Sequence, residues 1–151
     1  MFVKTFRLKK GTKTAFWFIL ALSAVFAAVF VFNQITAPKG IKMPDAEARK
    51  AFLQEMGWEA SEEPISEREV TIPATWNEVY EQYNDLQLEQ GLDLSKYKGK
   101  KATIYTYAIY NYEEGRPNIV ADLIICDGKL IGGDVMCLEF GGFMQGLKKN
   151  D

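Results

Sequence analysis

The chain has 151 residues, one domain's worth of sequence, of which 48% are apolar and 25% charged. A formal charge of −2 gives no footing to a nucleic-acid binder held by phosphate charge. The complete lack of histidine removes imidazole metal sites, catalytic triads and histidine proton shuttles, and two cysteines are too few for a disulfide scaffold or a cysteine-rich zinc site.

Residues 1–14 carry Lys4, Arg7, Lys9, Lys10 and Lys13 and no acidic residue. Ala15 to Phe32 follow as AFWFILALSAVFAAVFVF, in which Ser23 alone is not apolar. Eighteen residues at 1.5 Å rise cover about 27 Å, close to the roughly 30 Å of a bilayer's hydrocarbon. A lipid-facing segment must satisfy its backbone internally, so residues 15–35 are expected to form a transmembrane helix. A core helix of so small a domain would show a polar stripe, and this one shows none. The basic flank places the tail 1–14 in the cytoplasm and everything after the span outside, which predicts a single-pass protein of the cell membrane. A cleaved signal peptide shares the basic start and apolar middle. Asn33 to Pro38 would serve it badly, because Ile35 stands where the peptidase wants a small residue, so an uncleaved anchor is expected. Beyond the span, thirteen basic and twenty acidic residues leave a charge of −7.

A linker at 36–43, containing Pro38 and Gly40, is too short to carry the extracytoplasmic domain at 44–151 far from the membrane. Asp45 caps a helix running to Met56, with Ala48, Phe52 and Met56 on one face and Gly57 ending it. Glu59 to Glu67 reads as an acidic loop and Glu69 to Ile72 as a short strand. Thr75 and Glu78 have capping-box spacing, opening a helix to Gln90 that buries Trp76, Val79, Tyr83 and Leu86. Leu92 to Gly99 is a connector with one helical turn near Ser95 to Tyr97. Lys101–Tyr110, Ile119–Cys126 and Leu130–Glu139 read as three strands of an antiparallel meander. Asp127-Gly128 supplies the tightest hairpin signal and Gly132-Gly133 a bulge. The expected class is therefore α+β, a transmembrane helix followed by a small domain of order α-β-α-β-β-β, with the helices on one face of the sheet.

Four groups of residues are candidates for chemistry or binding. Glu78, Glu81, Asp85 and Glu89 form a stripe on the second helix. One helix face displays its carboxylates in a row rather than converging on a cation, so the stripe reads as solvated and no metal or other cofactor is expected. Asp122 and Asp134 interrupt apolar strands, and a register that set them opposite each other would raise one pKa, as in catalytic carboxylate pairs. Loop length decides that register, and two or three turn residues both fit the sequence. Cys126 and Cys137 fall about 20 Å apart along any ladder, beyond the roughly 7 Å limit for a disulfide, and read as buried thiols. Tyr105, Tyr107, Tyr110 and Tyr112 cluster on the first long strand and its end, as a candidate interaction surface, with cross-strand packing inside the domain the favoured reading. Tyr105 and Tyr107 share a face expected to stay partly open, with Ile104, Thr106 and Ala108 facing the helices. Ile119 to Cys126 is apolar at both alternating positions, which asks for cover on both sides from the helices, from Phe140–Leu147 or from another protein.

Several segments taken together resemble a family of small single-span proteins of Gram-positive, mostly anaerobic bacteria, whose domain has no assigned function. They are Arg49-Lys50-Ala51-Phe52-Leu53, Gly57-Trp58, Val70-Thr71-Ile72-Pro73, Tyr80-Glu81-Gln82-Tyr83-Asn84, Gln90-Gly91-Leu92-Asp93-Leu94, Tyr97-Lys98-Gly99-Lys100 and Asp127 to Asp134. The resemblance spans roughly Ala48 to Leu147. It implies the one-span layout and a bacterial membrane, and it brings no catalytic residue or ligand. With no reactive constellation in view, the expected function is a non-catalytic binding module of the cell envelope. Its partners would be the membrane, through the span, and an envelope protein or a second copy. A carboxylate-dependent hydrolase of wall material using Asp122 and Asp134, and a homodimeric structural module, are the alternatives.

Overall fold

A computed structural model describes residues 40–113 and 116–149. The basic tail, the expected span at 15–35 and most of the linker lie outside the described residues. Among the described residues no helix is long and apolar enough to cross a membrane.

In chain order the elements are β1 (Ile41–Lys42), α1 (Ala46–Glu55), β2 (Ser66–Thr71), α2 (Glu78–Glu89), a 3-10 turn (Leu94–Tyr97), β3 (Lys101–Ala108), β4 (Ile119–Cys126), β5 (Lys129–Cys137) and β6 (Met144–Gln145). The strands form one six-stranded sheet in the order β1-β5-β4-β3-β2, with β6 also on β5, and the pairings are antiparallel. Two strands are thus added to the expected four. β1 arises from the last residues of the linker and β6 from the segment after β5.

Asp45 caps α1 as its side chain accepts from the Ala48 amide at 2.8 Å. At α2 the cap is Asn77, not Thr75: the Asn77 side chain accepts from the Tyr80 amide, and the Trp76 indole donates to the Pro73 carbonyl, holding Thr75 and Trp76 in the turn before the helix. The β4–β5 hairpin turns on Asp127 and Gly128 with φ of 51° and 68°, the positive-φ pair of a two-residue loop, so Cys126 pairs with Lys129. A bulge between Ile124 and Ile125 leaves Ile131 without a partner in the ladder and advances the register beyond it by one.

β4 lies in the middle of the sheet, and both of its faces are covered from within the domain. α1 packs Phe52 and Leu53 against Ala121, Leu123 and Ile125, while α2 and the 3-10 turn bring Tyr83, Leu94 and Tyr97 to Ile124 and Cys126. The helices therefore sit on opposite faces, not on one, and this accounts for the doubly apolar strand. The tyrosine face of β3 is the α1 side: Tyr107 is fully buried there, and Arg49 of α1 lays its guanidinium 3.7 Å from the Tyr105 ring centre and donates to the Tyr107 hydroxyl. The C-terminal segment closes the α1 side through the stack Trp58–Tyr112–Phe143, and the Trp58 indole donates to the Leu147 carbonyl.

Candidate functional site

The structure disperses the four tyrosines. Tyr107 is core, Tyr105 is half-covered by Arg49, Tyr112 is stacked between Trp58 and Phe143, and Tyr110 alone is largely exposed. Cys126 and Cys137 are free thiols at opposite ends of the β4–β5 ladder, the first paired with Lys129 and the second with Ile119. Burial and the nearby Asp127 carboxylate push the Cys126 thiol above its ordinary pKa, so it is held as a thiol rather than a reactive thiolate.

The hairpin register does bring Asp122 and Asp134 directly opposite each other, with Thr106 opposite Asp122 on the next strand. Each carboxylate has a single hydroxyl donor. The Thr106 hydroxyl donates to Asp122 Oδ1, and the Tyr83 hydroxyl of α2 reaches down to Asp134 Oδ2, both at 2.6 Å. Asp122 is 8% exposed and Asp134 2%, and Oδ1 of Asp134 is buried with no hydrogen-bond partner among the described residues. Loss of solvation raises both pKa values. For Asp134 the Tyr83 bond opposes the rise, the Asp122 charge adds to it, and the result is about 6. For Asp122 the Thr106 bond and the Arg68 charge oppose the rise. Tyr83 is pushed upward by its own burial and by Asp134, so it stays a protonated donor. This cluster can hold a proton near neutral pH, but it is roofed by α2.

α2 is fastened over the cluster by two glutamines. β1 and β6 occupy the two ends of the outer edge of β5, leaving Gly133 between them. Gln87 accepts from the Gly133 amide at 2.8 Å, and Gln90 donates to the Gly133 carbonyl at 3.0 Å while accepting from the Leu147 amide. Glycine is required at 133, because a Cβ there would lie 2.4 Å from the Asp122 carbonyl oxygen. Seating the helix through Gln87, Gln90 and Tyr83 turns Val79 outward to 69% exposure, although its spacing placed it in the core.

A groove runs along α2. Two depressions of about 650 Å³ and about 450 Å³ share Leu86 and Met144. The larger is floored by Phe52, Met56, Leu92 and Leu147, and Ile41 lines it where the chain enters the domain. The smaller runs between Val79, Tyr80 and Tyr83. Ile41 and Met144 remain 46% and 49% exposed. The acidic stripe lies beside this groove: Glu89 lines it, and Glu78, Glu81 and Asp85 are solvent-exposed on the same helix. Among the described residues no group of acidic or cysteine side chains is placed to hold a metal ion. The groove escaped sequence reasoning. The signal for it was the pair Gln87 and Gln90, polar residues three apart on the side of α2 expected to be apolar.

Fold and site together define a small antiparallel α+β domain with a sealed carboxylate pair and an open apolar groove at the edge where the chain enters. A family model described as a domain of unknown function (DUF4830) matches residues 52–135, more than half of the chain, and the chain belongs to that family. The match runs from α1 into β5, so it contains both aspartates, Tyr83 and Leu86, and stops short of Met144. No curated protein and no solved structure matches the chain.

Proposed function

We propose that the protein is a membrane-anchored, extracytoplasmic binding module of a Gram-positive cell envelope, without catalytic activity. The groove along α2 carries this reading, as an open, mostly apolar hollow on a domain whose two sheet faces are covered from within. The carboxylate pair has the juxtaposition that a wall hydrolase would need, but with Asp134 2% exposed under Tyr83 and α2 it offers no approach to a polymer. The pair acts on the domain's own stability.

Protease added to intact cells tests the topology. The C-terminal two-thirds is expected to be digested, with residues 1–14 protected until lysis. A domain that survives on intact cells and is digested only after lysis refutes the location. Asparagine at both Asp122 and Asp134 tests the absence of catalysis: a folded double variant that has lost a wall-degrading activity of the native chain refutes the binding reading.

A further inference from the structure

The groove has a shape, a charge and a position, and the three select one kind of occupant. It is concave and follows α2 from Val79 to Gln90. Twelve residues of helix are about 18 Å long, the length of three turns of a second helix laid alongside. Its floor is apolar and Glu89 lines it; Glu78, Glu81 and Asp85 continue from Glu89 at three- and four-residue spacing on the flank of the same helix, all four exposed and none in a salt bridge among the described residues. Lys148 also lines the groove, at the end near Ile41. At most nine residue steps separate Phe32, the end of the apolar run, from Ile41, which limits the reach to about 30 Å. The occupant must therefore be found close to the membrane.

We infer that this groove seats an amphipathic helix of a partner envelope protein, with the helix's apolar face on Leu86, Met144 and the floor beneath, and its lysines or arginines along the acidic stripe of α2. Apolar anchors at helical spacing in a groove, with flanking charges setting direction, is the physics of helix-in-groove recognition. A second copy fits poorly, because α1 carries two acidic and two basic residues and α2 carries four acidic residues and no basic one. A bilayer surface fits poorly as well. Anionic lipid would be repelled by the four carboxylates of α2. The inference rests on the binding-module reading and specifies its partner.

The test uses the full chain in nanodiscs of neutral phosphatidylcholine and a fluorescent 18-residue peptide of leucines at helical spacing with lysines elsewhere, titrated by anisotropy. The control peptide carries glutamate at every lysine position. The native chain should bind the lysine peptide at least tenfold more tightly than the glutamate one, and E81K/D85K, which leaves the stripe with no net charge, should bring the two to within about threefold. M144Q and V79Q each remove an exposed apolar contact and should weaken the lysine peptide at least fivefold. Val79 is so exposed that folding is spared if Met144 is not. Equal affinity for the two peptides overturns the inference, and so does lysine-peptide binding that ignores both M144Q and V79Q, which would be charge adsorption alone. Self-association of the chain that these variants abolish would assign the groove to a second copy and also overturn it. Alkaline carbonate extraction of cell membranes tests the anchor separately: a chain released by carbonate refutes the anchor while the titration still reads the groove.

Discussion

Replacing Asp134 with asparagine should stabilise the protein at neutral pH. Asp134 has its pKa raised from 3.8 to about 6, chiefly because it is buried, with 2% of its surface exposed. A carboxyl group whose pKa is higher folded than unfolded favours the fold fully below the unfolded value, and that contribution is lost as pH rises through the folded value. Roughly two pH units at about 1.4 kcal/mol each make the ionised side chain cost about 3 kcal/mol by pH 8. Asparagine keeps an oxygen for the Tyr83 hydroxyl and cannot ionise. Urea unfolding followed by tryptophan fluorescence, with Trp58 and Trp76 on either side of the sheet, should find D134N more stable than the native chain by about 2–3 kcal/mol at pH 8, and within about 1 kcal/mol of it at pH 4. The raised pKa of Asp122 gives both proteins some residual slope of the same sign. If D134N is the less stable protein at pH 8, or if the gap between the two does not widen from pH 4 to pH 8, the carboxyl is not held as argued.

Three further substitutions probe what fastens the helices. Y83F removes the hydroxyl that donates to Asp134 and should cost about 1–3 kcal/mol in urea melts, more at pH 8 than at pH 4 because the carboxylate then needs the bond most. G133A forces a Cβ to within 2.4 Å of the Asp122 carbonyl oxygen, and a loss of about 1–3 kcal/mol is expected by thermal unfolding. R49K gives up the guanidinium stacked on Tyr105 together with its bond to the Tyr107 hydroxyl, and the melting temperature should fall by the equivalent of about 1–2 kcal/mol.

Local signals in the chain were read well where their physics is local. Asp45 before a run with apolar residues every four positions, and Gly57 after it, bounded α1, because a cap and a left-handed stop act within one turn. Asp127-Gly128 announced the hairpin for the same reason. The Thr75–Glu78 spacing misled, since the Trp76 indole found the Pro73 carbonyl and Asn77 was left to accept from the first free amide of α2. On β3 the Ile104 face does meet helical cover, from α2 and the 3-10 turn, but the tyrosine face is not open: α1 covers it, with Arg49 over Tyr105 and bonded to Tyr107. β1 and β6, two residues each, carry no periodicity, and only the free edge of β5 makes them strands.

The two aspartates mark the boundary between what each level decides. That each interrupts an apolar strand was plain in the sequence, and so was the condition under which they would meet. Whether they did depended on a two-residue turn and on one extra residue at Ile131, which together set the register. By itself the sequence determined the apolar run, the alternation of the long strands and the places where the chain must turn, because those follow from burial and backbone geometry over a few residues. The tertiary structure alone decided that the helices take opposite faces, that Gln87 and Gln90 fill the gap at Gly133, and that a groove stays open beside the acidic stripe of α2. Those outcomes depend on hydrogen bonds between residues more than forty positions apart, which no window along the chain contains.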